Sequence, residues 1–201
     1  MNSRQKKTST NALRIIGGSW RGRKLAFPSI EGLRPTPDRI RETLFNWLTT
    51  DVVGARCLDL FAGSGALGLE ALSRGASHVD MVDSQPGASA QLQLHLDTLM
   101  AKDAESTAAV HCLPAKQWLA QYGSVAAKRP VFDVVFIDPP FHQDLAGDCI
   151  VDIEQLGLLA ERAVIYLEMG RDEALPIIPA NWRLHREKTT GQVSYRLFRR
   201  D

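Results

Sequence analysis

The sequence predicts an α/β fold. It calls for an open, mostly parallel sheet of seven strands with helices on both faces, an antiparallel strand pair at the carboxyl end, and a small β-hairpin and helix at the amino end. Three observations predict this. The run Cys57-Leu58-Asp59-Leu60-Phe61 breaks into Ala62-Gly63-Ser64-Gly65-Ala66-Leu67-Gly68, and a helix-forming segment, Leu69-Glu70-Ala71-Leu72, follows at once. Such a pattern is a strand, a tight turn and a helix start. Strand and helix patterns then alternate, which builds a parallel sheet. Past residue 180 the pattern changes to two short alternating runs.

Residues 1–11 are polar, basic and without periodicity, and read as a disordered tail. Residues 12–50 are expected to form a hairpin and helix. Leu13-Arg14-Ile15-Ile16 and Arg21-Gly22-Arg23-Lys24-Leu25 flank Gly17-Gly18-Ser19-Trp20, which suggests the hairpin. Trp20 either stacks on a nucleobase or packs the hairpin down. A loop from Pro28 to Pro37 leads to a helix from Asp38 to about Leu48, with Thr36 as N-cap and Pro37 at the first helical position. Ile40, Leu44, Trp47 and Leu48 form its buried stripe, with Arg39 and Arg41 off it.

Residues 51–201 are expected to form the main domain. Further strands are read at His78–Val82, Ala108–Cys112, Val131–Ile137 and Ala163–Glu168. Helices are read at Ala88–Met100, Pro114–Tyr122 and Asp144–Leu159. Trp182–Arg186 and Val193–Phe198, with Gly191 between them, form the closing pair.

Composition narrows the function. No run of 18 apolar residues is present, so no membrane span is expected. The polar start lacks a signal core. Cys57, Cys112 and Cys149 match neither a disulfide framework nor a zinc pattern, which suits a reducing cytoplasm and no metal. Residues 1–48 carry ten Lys/Arg against three Asp/Glu, and the remainder carries fourteen against twenty. A basic head on an acidic body points to a polyanionic partner.

Two stretches carry chemistry. Gly63 and Gly65 allow positive φ where a ligand presses on the main chain, and Gly68 lets the helix approach its strand. Asp59 is a charge inside a strand, costly without a partner. Asp83 ends the next apolar run twenty residues after Gly63, where a ribose-binding carboxylate is expected. This fits a nucleoside, NAD or S-adenosylmethionine. The second stretch is Asp133-Val134-Val135-Phe136-Ile137-Asp138-Pro139-Pro140-Phe141. Two prolines remove N–H donors and leave carbonyl acceptors in a rigid turn. Asp138 adds a carboxylate and Phe141 a flat apolar face, a set suited to a planar base with an exocyclic amine.

Together these stretches resemble class I S-adenosylmethionine-dependent methyltransferases acting on exocyclic amines. The resemblance narrows to the RsmD family through Arg14-Ile15-Ile16-Gly17-Gly18, Trp20-Arg21-Gly22-Arg23, Leu33-Arg34-Pro35-Thr36, Arg39, and the run from Arg41 to Leu48. It continues through Gly65 to Ser73, Ala180-Asn181-Trp182 and Leu184-His185-Arg186-Glu187-Lys188. That family methylates N2 of one guanine in small-subunit (16S) ribosomal RNA, guanine 966.

The resemblance implies a Rossmann-like methyltransferase domain over residues 51–201 and an RNA-binding extension over 12–50. It places S-adenosylmethionine on Asp59, Phe61, Ala62, Gly63, Ser64, Gly65, Asp83 and Leu113, and catalysis on Asp138, Pro139, Pro140 and Phe141. RNA falls on Arg14, Trp20, Arg21, Arg23, Arg34, Thr36 and Arg39. A monomer acting on 16S rRNA or a 30S assembly intermediate is implied, without metal or membrane. Two positions depart from the family. Pro114 stands where a polar Asn or Asp often lies beside the adenine, and Gln85-Pro86 follow Asp83.

Other readings remain at this stage. A DNA or other RNA amine methyltransferase shares such a turn, usually with Tyr in its fourth place. A non-catalytic assembly factor binds RNA and cofactor only. An NAD-dependent oxidoreductase shares the glycine loop, but no His or Tyr-Lys acid follows it.

Overall fold

The computed structural model describes residues 11–27, 36–101, 106–123, 131–141 and 143–201. The expected amino-terminal tail and Arg34 lie outside these residues.

The first two strands, β1 (Asn11–Arg14) and β2 (Lys24–Phe27), pair antiparallel as a separate two-stranded sheet. Helix α1 covers Asp38–Trp47. The main sheet then builds in order: β3 (Arg56–Asp59), α2 (Gly68–Ser73), β4 (His78–Asp83), α3 (Pro86–Met100), β5 (Thr107–Cys112), α4 (Ala115–Gly123), β6 (Phe132–Ile137), α5 (Leu145–Gln155), β7 (Leu159–Gly170), β8 (Trp182–Thr190) and β9 (Val193–Arg200). Its strand order is β5-β4-β3-β6-β7-β9-β8, parallel except where β9 pairs with β7 and β8. This is the predicted doubly wound, Rossmann-like arrangement with its antiparallel carboxyl end.

Several expected boundaries shift: β7 starts at Leu159 and not Ala163, β8 runs on to Thr190, and two further shifts have a visible cause. Residues 157–159 do not extend α5: Gly157 takes φ 62° and ends the helix, and Leu159 already belongs to β7. The hairpin turn is also wider than Gly17-Gly18. The whole of 15–23 connects the strands, because this loop is fastened to α2. The Ile16 N–H donates to Glu70 Oε2 at 2.9 Å, the Trp20 N–H to Ser73 Oγ at 3.0 Å, and Ser73 Oγ to the Gly17 carbonyl at 2.6 Å. Gly18 has φ 72°, and a Cβ there would lie 1.7 Å from the Ser73 carbonyl oxygen, so only glycine fits.

Each sheet face has its own core. One face gathers α2, α3, α1 and the hairpin, through Leu13, Ile15, Phe27, Leu44, Phe45, Leu72 and Leu92 among others. The other packs α4 and α5 through Trp118, Leu119, Ile150 and Ile153. The amino-terminal segment is thus continuous with the main core. Trp20 is buried, so its ring packs the hairpin down and is not presented for stacking on RNA.

Arg41 departs furthest from expectation. Instead of lying off the buried stripe it is 0% exposed. Its guanidinium donates to the Thr36 carbonyl (3.1 Å), the Arg14 carbonyl (2.9 Å), Asp38 Oδ1 (2.6 Å) and Glu70 Oε2 (3.4 Å). A buried guanidinium is tolerated only when so many acceptors replace water. Four segments of the chain, β1, the Thr36 segment, α1 and α2, therefore meet at one cation. Arg41→Met removes the cation and leaves buried Glu70 with the Ile16 N–H and a single cation, Arg74. We expect a loss of about 3 kcal/mol of unfolding free energy in a urea titration. A loss below about 1 kcal/mol would show that the hub does not hold the segment.

Candidate functional site

β3 and β6 are parallel neighbours, with Asp59 opposite Phe136, and both chains turn at their carboxyl ends into loops. The pairing extends one residue further, from the Leu60 N–H to the Phe136 carbonyl at 3.1 Å. From β3 the chain proceeds outward through β4 and β5, whereas β6 and β7 lie on its other side. A crevice opens where the winding reverses. A cleft of about 1090 Å³ occupies this place. Asp59, Phe61, Ala62, Gly63, Ser64 and Asp83 line it on the β3–β4 side, and Asp138, Pro139, Pro140 and Phe141 on the β6 side.

The glycine loop is built as its composition requires. Gly63 and Gly65 take φ 53° and 81°. Gly65 does not line the cleft; its backbone turns against Leu92 and Leu69. A Cβ on Gly68 would come within 2.8 Å of Met81 Sδ, so the start of α2 lies directly on β4. The Gly68 N–H donates to Asp59 Oδ2 at 3.0 Å. Asp59 Oδ1 is buried without a partner among the described residues. Burial raises the Asp59 carboxyl to about 7; the Gly68 N–H and, more weakly, the Phe61 N–H oppose the rise, and Asp138 and Asp83 add to it. An orphaned acidic oxygen in a cleft calls for a cationic or N–H donor from a ligand.

Asp83 is fixed by two backbone donors, the Gly63 N–H to Oδ2 at 2.8 Å and the Gln85 N–H to Oδ1 at 2.7 Å. Each oxygen keeps a lone pair for a further donor such as a hydroxyl. Beyond β5, Pro114, Ala115 and Lys116 line the cleft and Leu113 does not. The predicted contact shifts by one residue because Leu113 packs towards the α4–α5 core.

Asp138 receives a hydrogen bond from Thr36 Oγ1 to Oδ2 at 3.1 Å. Thr36 therefore does not cap α1. Pro37 occupies the cap with no side-chain bond, and the Thr36 hydroxyl serves the carboxylate. An acid withdrawn from water loses more without a donor than a helix end near solvent does. Burial moves the Asp138 carboxyl upward, and Thr36 opposes this. Phe141 is 36% exposed at the mouth.

Glu168 also lines the cleft and was not singled out by the sequence reading. It is buried, and Tyr166 Oη donates to its Oε2 at 2.5 Å. The pairing of Ile137 with Leu167 sets it beside Asp138. Burial and the Asp138 charge push its carboxyl up. Its sequence signal was present: an acid ending an apolar strand, as at Asp59 and Asp138. Gln192 and Val193, from the β8–β9 turn, complete the rim.

Of the residues expected to meet RNA, Thr36 lines the cleft. Arg14, Arg21, Arg23 and Arg39 are exposed outside it. Among the described residues no group of three His, Cys, Asp or Glu side chains is arranged to hold a metal ion, and no helix is long and apolar enough to cross a membrane.

The family model "Conserved hypothetical protein 95" matches residues 13–199. The chain is 49% identical to "Ribosomal RNA small subunit methyltransferase D" of Escherichia coli K12 over 194 residues, 96% of this chain and 93% of that one. It is 46% identical to the protein of the same name from Haemophilus influenzae, over 96% of this chain and 97% of that one. The solved structure of yhhF from Escherichia coli superposes with a TM-score of 0.83 at 47% identity, covering 95% of this chain and 99% of that one.

Two outcomes test the electrostatics. The folded Asp59 carboxyl holds its proton to about 7, against an ordinary 3.8. Its contribution to stability is complete below ~4 and lost as pH rises towards 7. Asp59→Asn should therefore flatten the decline of unfolding free energy between these limits. An unchanged slope would mean that Asp59 is ionised throughout. Thr36→Val removes the donor that holds the Asp138 carboxyl down, so its pKa should rise further in a carbon-13 NMR titration. A fall or no movement would contradict the bond.

Proposed function

Because the chain belongs to this family, that of ribosomal RNA small subunit methyltransferase D, and is an rRNA methyltransferase, we propose that it methylates the exocyclic N2 amine of one guanine in 16S rRNA. The proposed target is guanine 966, the position that the family resemblance implies. The proposed substrate is the RNA or a 30S assembly intermediate, and the enzyme acts as a cytoplasmic monomer. One observation carries this reading: the acid-bearing glycine loop and the Asp138–Phe141 turn line the same cleft.

The methyl donor is S-adenosylmethionine, which supplies an electrophilic methyl carbon on a sulfonium. The donor set fits it. The unpartnered Asp59 oxygen suits the amino group of its methionine part, and Asp83 suits the two ribose hydroxyls. Pro114 and Ala115 offer an apolar wall to the adenine, in place of the polar side chain common in the family.

The obstacle to reaction is the guanine amine, whose lone pair is delocalised into the ring. Asp138 Oδ1 and the Pro139 carbonyl would accept its two N–H bonds, while Thr36 occupies Oδ2 and fixes the carboxylate plane. Phe141 would stack on the base. Positioning of this kind contributes several kcal/mol, and acceptors matched to the developing positive nitrogen add to it. Asp138 need not be a strong base, since the amine proton becomes acidic only as the new C–N bond forms. The base must leave its stack to reach the turn. Arg14, Arg21, Arg23 and Arg39, exposed outside the cleft, would hold phosphates of the flanking RNA.

Asp138→Ala should lower methyl transfer about 10²- to 10³-fold and leave S-adenosylmethionine affinity within about threefold. Tritium transfer to total RNA, DNA and immature small subunits, followed by nucleoside digestion, checks both points. Label recovered as N2-methylguanosine from rRNA supports the reading. Undiminished turnover in the variant, or label in adenosine or DNA, overturns it.

A further inference from the structure

The outermost strand of the sheet has a basic face that the chemistry at the cleft does not use. Along β8, Arg183, His185, Arg186, Glu187 and Lys188 are all exposed. A regular strand alternates and would send Arg183 to one face and Arg186 and Lys188 to the other. The register slips at His185, however: Arg183 pairs with Arg199, Arg186 with Leu197 and Lys188 with Tyr195. This extra residue returns Arg186 and Lys188 to the face of Arg183. Tyr195 and Leu197 on that face belong to the core shared with α1. Glu187 is left on the opposite face, where it pairs with Arg196 at 2.7 Å. Arg183 is bound to Asp201, but among the described residues no acidic side chain pairs with Arg186 or Lys188.

The strip begins at the cleft. Lys188 lies across from Tyr195, which lies across from Glu168 in the cleft wall. The turn joining β8 to β9 supplies Gln192 and Val193 to the rim. Half-buried Trp47 rests on Tyr195, 5.5 Å between ring centres, beside the same rung. A charged edge strand also prevents edge-to-edge pairing of sheets. That role accepts charge of either sign and does not explain a bulge that sorts cations to one face and the acid to the other.

We propose that Arg186 and Lys188 form a phosphate-binding strip for the RNA flanking the nucleotide held in the cleft. The proposal rests on the reading of the cleft given above. A polyanion is the complement of two unpaired cations at a cleft mouth, and the strip lengthens the contact from the carboxyl end of the chain.

The test uses the full chain, deproteinised small-subunit rRNA and labelled S-adenosylmethionine. The variants are Arg186→Glu/Lys188→Glu and Arg186→Gln/Lys188→Gln. For the Glu pair, KM for RNA should rise about tenfold or more, with kcat at saturating RNA and S-adenosylmethionine binding within about twofold. The slope of log(kcat/KM) against log salt should fall by about 1.5 to 2, the value for two phosphate contacts. The Gln pair should lie between. Glu variants that match wild type in KM and salt slope overturn the proposal, because edge protection alone tolerates Glu. A loss seen with ribosomal particles but not with naked RNA also overturns it and assigns the strip to a protein. If the wild type transfers methyl neither to this RNA nor to immature small subunits, the reading of the cleft has failed. Filter binding of the same RNA then still decides the strip, by a weaker or an unchanged affinity in the Glu pair.

Discussion

Two parallel strands ending side by side set everything at the cleft. The register of β3 on β6 fixes Asp59 opposite Phe136, so the loop leaving β3 and the turn leaving β6 begin within one strand spacing of each other. No side chain has to bring them together, because the backbone ladder does so. Helix connections that wind outward in opposite directions from this pair leave the gap uncovered. The rigidity of the site follows. Its walls are the ends of the most deeply buried strands in the molecule, with Leu58, Val134, Val135, Phe136 and Ile137 all at 0% exposure.

A second consequence is electrostatic. Asp59, Asp138 and Glu168 stand at the ends of three adjacent strands, and burial pushes every one of these carboxyls upward. Like charges so close cannot all ionise cheaply. Such a cluster opposes stability in the folded chain and is tolerated where a ligand repays it with N–H donors or positive charge. The chain neutralises its other buried acids by itself. Glu70 has Arg41 and Arg74, and Asp80 has His78 and His111, which hold it down at about 2 despite its burial. Among the described residues, by contrast, no ion pair reaches Asp59, Asp138 or Glu168. Thr36 gives Asp138 one neutral donor, and Tyr166 does the same for Glu168.

This contrast also marks what the sequence made legible. The succession of strands and helices, the glycine turn, Asp59, Asp83 and the Asp138–Phe141 turn were readable because each is a local break in periodicity: an acid or a glycine where an apolar strand stops. Arg41 was not, since an arginine one residue from Ile40 on an amphipathic helix looks solvated. Its burial depends on carbonyls and acids delivered by β1, the Thr36 segment and α2. Thr36 had the residue type and position of a helix cap, and only the tertiary fold shows a half-buried carboxylate competing for its hydroxyl. Trp20 was left between two roles by its sequence, and the clamp of its own N–H onto Ser73 decides for the core. Glu168 carried the same signal as Asp138, but its side chain becomes significant only through the neighbouring strand.

The two ends of the chain converge on a cleft that the central strands already define. Thr36 and Pro37 arrive from the amino-terminal segment, and Gln192 and Val193 from the last hairpin. Neither end belongs to the alternating parallel core, and each carries an excess of basic residues, whereas acids outnumber them in the middle of the chain. The amino-terminal segment cannot swing independently, because Glu70 and Ser73 of α2 hold its loop by backbone bonds and Arg41 ties it to α1. α2 is also the helix whose first N–H fixes Asp59. One short helix therefore sets both the cofactor-side acid and the arginine-bearing hairpin, so a ligand that displaces the hairpin must also disturb Asp59. The surface hairpin and the strand ends are thus joined through rigid backbone contacts, so under the proposed reading an RNA would meet a preformed mouth.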